Sequence, residues 1–174
     1  MLPKPAPGFD QPIALLRACH GRIQRYLATL ERLAGHLRET GADPAARAAA
    51  DEIVRYFSTA GRHHHEDEEV DLFPLLLRAD PALDQTLARL ERDHAAMADA
   101  WTELEAALTG LSPATDPVAF AASAARFRAP YAEHIAIEEA EVFDRAEQVL
   151  SAGQLAGLGR RMAARRGVKP ESAR

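Results

Sequence analysis

From His63 to Pro74 the sequence reads HHHEDEEVDLFP, three histidines and four acids in seven positions ahead of a short apolar run. Imidazole and carboxylate so closely spaced can bind a transition metal or can form a charged, solvated helix face. Spacing separates these uses. His64 and Glu68 stand four apart, as do His134 and Glu138, and side chains four apart on a helix share a face, so each pair can serve one centre. His20 and His94 each lie inside an apolar seam: Leu16, His20, Ile23, Leu27 in one segment and Leu90, His94, Met97, Trp101 in the other. Those steps of three and four mark the buried stripe of a packed helix.

The elements that must position these residues are legible from their starts. An N-cap residue followed by proline in the first turn recurs at Asp10, Asp43, Asp80 and Asp116, which predicts long helices over 10–39, 44–73, 81–108 and 117–149. Pro74 is expected to end or kink the second and Pro130 to kink the fourth. A fifth, shorter helix starts at Ser151 and ends near Gly167, followed by a basic tail. Short connections make sequential helices antiparallel neighbours. The expected fold is all-α, an antiparallel up-down-up-down four-helix bundle with a short C-terminal fifth helix. Residues 1–9 form a flexible N-terminal segment, 10–150 the bundle, and 151–174 the C-terminal helix and basic tail.

Each long helix then aims one histidine at the bundle axis: His20, His64, His94 and His134. Burying an uncompensated polar group costs about 1–3 kcal/mol, so four histidines with Glu68 and Glu138 would cost roughly 6–18. That rivals a domain's whole stability of about 5–15 kcal/mol. Metal coordination compensates imidazole and carboxylate together. His20 precedes His64 by 44 residues and His94 precedes His134 by 40, each second histidine followed by its glutamate. This internal repeat fits a pseudo-twofold centre of two ions, each with two imidazoles and both sharing the glutamates. His63 and His65 project about 100° to either side of His64, toward solvent or the surroundings of the site. Glu66, Asp67 and Asp71 read as solvated surface. Glu69 and Glu139, five residues after a ligand histidine, could replace their neighbours as bridges if the helix is locally distorted. His36 falls on the surface face.

Composition narrows the function classes. The net charge of -5 is mild and interspersed, which gives no footprint for nucleic acid or an anionic membrane. No segment approaches the roughly 18 apolar residues of a membrane span, so a cytoplasmic location is expected. Cys19 is the sole cysteine, and no disulfide or nucleophile is assigned to it.

In the segments ACHGRI, HHHEDEEVDLFP, ERDHAAM and YAEHIAIEEAEVF the chain resembles the hemerythrin-like, HHE cation-binding family. The resemblance implies a bundle around a non-haem di-iron centre with an oxo or hydroxo bridge. His20, His64, His94 and His134 would be iron ligands, and Glu68 and Glu138 carboxylate bridges. Oxygen-carrying members have a fifth histidine one turn from a third-helix ligand, where this sequence has Leu90 and Ala98. Reversible carriage is therefore not expected. The implied role is interaction with dioxygen, peroxide or nitric oxide in sensing, stress response or iron handling, with at most weak peroxide-decomposing activity. Two alternatives stand beside it. A ferritin-like oxidative enzyme would need paired ExxH motifs, of which only Glu91 and His94 supply one. A structural zinc bundle would use the same donor types.

Overall fold

A computed structural model describes residues 6–168 of the chain. Five helices form among the described residues: α1 (Pro12–Glu39), α2 (44–79), α3 (Asp84–Thr109), α4 (117–149) and α5 (Ala152–Arg165). α1 packs on α2 and α4, and α3 packs on the same two helices, closing the up-down-up-down ring. The fold is the all-α bundle that the periodicity implies.

Three of the aspartate starts act as read from sequence. Asp43 accepts a hydrogen bond from the Ala46 N–H at 2.7 Å, and Asp116 accepts from Val118 N–H at 2.8 Å. Asp80 accepts from Ala82 N–H and opens the 3-10 turn Pro81–Leu83 ahead of α3. Asp10 does not cap. The residue before α1 is Gln11, whose N–H bonds to the Gly8 carbonyl at 3.0 Å; the chain enters the helix from a backbone-bonded turn, and Pro12 removes one donor that would need a cap. α5 begins with a reciprocal capping box between Ser151 and Gln154. It ends where Gly167, at φ 68°, lets Val168 N–H reach the Ala163 carbonyl.

Pro74 does not end α2, which continues to Ala79. The reason lies one turn earlier. Residues Asp67–Leu72 form a π turn, and the Phe73 N–H reaches back five residues to the Glu68 carbonyl. The helix is already widened where the proline ring would collide with the preceding turn. α2 carries a second π turn at Phe57–Gly61, and α4 carries one at Glu138–Phe143. Pro130 does interrupt α4, in a turn between Arg128 and Tyr131.

The buried apolar residues fall into two clusters. One holds Ile23, Leu27, Phe57, Met97, Phe127 and their neighbours; the other holds Leu16, Leu72, Leu90, Val142 and Phe143, with Leu158 and Met162 from α5. His20 lies between Leu16 and Ile23, His94 between Leu90 and Met97. A polar layer thus divides the core at one depth in each long helix. α5 is pressed closely onto the entering chain: a Cβ on Gly159 would stand 1.8 Å from the Phe9 carbonyl oxygen, so only glycine fits. Of the N-terminal segment read as flexible, residues 1–5 lie outside the described residues, as do 169–174 of the basic tail.

Candidate metal centre

The polar layer contains the six residues singled out by spacing, all buried: His20, His64, Glu68, His94, His134 and Glu138. Donor atoms of His20, His64, Glu68 and Glu138 lie within 4.8 Å of one another, and so do those of His94, His134 and Glu138. The imidazoles pair off, with ring centroids 4.9 Å apart for His20 and His64 and 4.6 Å for His94 and His134. Both carboxylates reach between the pairs. Glu138 places Oε2 3.0 Å from His20 Nε2 and Oε1 3.1 Å from His134 Nε2. Glu68 places Oε1 3.4 Å from His64 Nε2 and Oε2 3.6 Å from His94 Nε2.

The far side of two rings decides what faces the centre. His20 Nδ1 lies 2.7 Å from Glu139 and His94 Nδ1 2.8 Å from Glu69. An ionised carboxylate only accepts, so each Nδ1 donates its proton outward and leaves Nε2 a bare lone pair. Those Nε2 atoms, with His134 Nε2 and all four oxygens of Glu68 and Glu138, have no hydrogen-bond partner among the described residues. Lone pairs converge on lone pairs in a site closed to water. A cation is the species that satisfies such a donor set.

The charges of the layer are shifted by burial and by one another. Burial pushes His64 well below the usual imidazole range, and His20 beside it adds to the shift. Burial likewise raises Glu68 well above the carboxylate range, reinforced by Glu138. Glu138 is also penalised by burial, yet the imidazoles of His134 and His20 hold it below the ordinary value. For His134 burial is outweighed by Glu138 and Asp93, and its pKa rises. Two carboxylates this close do not ionise independently; divalent charge between them removes the conflict.

Several neighbours behave differently from their sequence reading. Glu69 and Glu139 do not reach between the imidazole pairs. Although the π turns supply the distortion that could bring them inward, they lie beside the layer and fix the tautomers of His94 and His20. The EE doublet that closes each HxxxEE was the signal. Asp93 approaches His134 Nδ1 at 3.5 Å. His65 stacks on His94, rings 3.9 Å apart. His36 is half-buried and pairs with Asp43 at 3.0 Å. Glu91 is exposed and takes no part in the layer, so the ferritin-like ExxH pairing is not formed.

Asp67 and Asp71 are buried, not solvated, at 0% and 4% exposure. The basic end of α5 covers them. Arg165 bonds to both aspartates, Arg166 to Asp67 at 2.7 Å, and Arg161 to Asp71 at 2.5 Å. Since Asp67 opens the π turn that carries Glu68, α5 clamps one half of the layer from behind. On the other half Arg17 bonds to Glu139 and to Asp144. Three arginines spaced to meet two acids one turn apart were visible in the sequence, though on separate helices.

Fold and site together define a helical bundle with a buried imidazole–carboxylate layer fitted to metal cations. The Hemerythrin HHE cation binding domain matches residues 11–146, and the chain belongs to that family. A protein of Haemophilus influenzae described as "Uncharacterized protein" is 33% identical over 161 residues, covering 92% of this chain and 93% of that relative. Among the described residues no helix is long and apolar enough to cross a membrane.

Proposed function

We propose that the chain binds two iron ions in the polar layer and meets small oxidants there. The observation that carries this reading is the placement of the Glu68 and Glu138 carboxylates between two imidazole pairs. His20 and His64 would hold one ion, His94 and His134 the other, and the two glutamates would be shared. The same donor types suit zinc, but carboxylate-linked iron pairs are the centres built in bundle cores from facing helices. An iron pair would supply the electrons for reaction with dioxygen, peroxide or nitric oxide, and an oxo or hydroxo bridge would complete it. Glu69 and Glu139 hold the imidazoles in the tautomer that binds metal. The apolar clusters above and below exclude water.

Leu90 and Ala98, one turn to either side of His94, offer no further donor, so neither half of the layer is saturated by side chains. Both halves stay open to an incoming molecule, which favours outright oxidation over reversible carriage. Stopped-flow mixing of the reduced protein with dioxygen tests this: we expect oxygen to be consumed and not released on evacuation. Release of the full amount, with recovery of the reduced spectrum, would restore a carrier function.

A further inference from the structure

A cavity of about 310 Å3 opens between α2, α3 and α4 on the side of the layer where His65 lies. None of the six layer residues lines it. Its walls are rings: Phe57 stands 5.3 Å from Trp101, 5.0 Å from Phe127 and 6.3 Å from Tyr131, centroid to centroid. Two small residues, Gly61 and Ala98, help keep it open. Gly61 closes the π turn Phe57–Gly61, and a Cβ there would come within 3.1 Å of the Phe57 ring. A π turn inside a helix often marks a functional site. At the mouth, Ser58 donates a hydrogen bond to the Glu105 carboxylate.

An enclosed apolar space of about 150 Å3 is enough to admit benzene. This cleft is open on one side and offers about 310 Å3, room for one ring and far beyond what a diatomic molecule needs. Its flat walls favour ring stacking over branched aliphatic packing, and Glu105 places one carboxylate among the lining residues, a polar group that can orient a small ligand. Glu105 accepts hydrogen bonds, so it selects a donor. We propose that this cavity binds a single-ring phenol, with the ring against the wall that Phe57, Trp101 and Phe127 form and the hydroxyl donated to Glu105. The occupant would rest against His65, which stacks on His94, and so would sit beside the metal layer without displacing any of its residues.

Trp101 is the only tryptophan of the chain, so its emission reports the cavity directly. The metal-loaded protein is titrated with phenol while Trp101 is excited at the red edge of its absorption, where phenol does not absorb. A saturable change is expected, with affinity for cyclohexanol, similar in size but not flat, weaker by about ten-fold. Ala98→Phe fills the mouth and should abolish saturation; Glu105→Leu should weaken phenol by about ten-fold and leave cyclohexanol less affected. Circular dichroism identifies which of these variants are folded. Absence of saturation in the unaltered protein, equal affinity for the two alcohols, or unchanged phenol binding in a folded variant overturns the proposal. Emission reads occupancy whichever ion is bound, so this result and the metal content fail independently.

Discussion

Stripping the metal from this protein should cost it a large part of its stability. Six residues of the layer keep at least one buried polar atom without a partner: His20, His64, Glu68, His94, His134 and Glu138. At about 1–3 kcal/mol for each unsatisfied group, the penalty is roughly 6–18 kcal/mol. Water entry and protonation of Glu68 relieve part of it, which favours the lower end. One kcal/mol moves the midpoint of a domain this size by about 2–4 °C, so the loss is about 12–24 °C. Acid should act in the same direction. The His64 pKa is held well below 6.5 by burial, so the unfolded chain binds the proton more readily. The stability tied to the neutral ring is present above that value and is lost as pH falls through the folded one. Burial and the neighbouring His94 depress His65 likewise, whereas the raised pKa of His134 contributes in the opposite sense, below 6.5 and lost as pH rises. Metal binding demands all the ring lone pairs, so the gap between metal-loaded and stripped midpoints should narrow on acidification. Thermal melts followed by circular dichroism, before and after chelation and across that pH range, measure both effects. Coincident melts at neutral pH would refute the reasoning, because the layer would then be satisfied without a cation.

The α5 clamp yields a second expectation: Arg165→Ala removes one arginine from buried Asp67 and Asp71, which keep Arg166 and Arg161, and should cost about 1.5–3 kcal/mol, read from urea unfolding. If Glu139 orients His20 as described, Glu139→Leu should weaken metal affinity about 10–100-fold with little change in helix content; competition with a chromophoric chelator measures it. Gly159→Ala drives a methyl into the Phe9 carbonyl and should loosen α5, seen as faster amide exchange in 152–165 while the bundle core stays protected.

The bundle was readable because its helices announce themselves locally. Asp43, Asp80 and Asp116 cap through their own side chains, and steps of three and four place Leu16, Leu90 and Phe127 in the core without reference to distant residues. The layer was readable because each histidine interrupts such a stripe. The surroundings of the layer depend on contacts between helices far apart in sequence. Asp67 and Asp71 look like solvated acids until α5 is folded onto them. Glu69 and Glu139 differ from Glu68 and Glu138 by one position; the four-residue spacing picks the carboxylates that point to the axis but does not show that their neighbours meet His94 and His20. The π turns carry no strong local signature, so continuation past Pro74 could not be seen beforehand.

Metal content together with magnetic character tests the central claim most directly. Protein purified after iron-replete growth should carry two iron ions per chain, and Mössbauer spectra of the oxidised form should show a coupled, diamagnetic ferric pair. One ion per chain, zinc in place of iron, or two magnetically independent ferric ions would contradict a pair shared by Glu68 and Glu138.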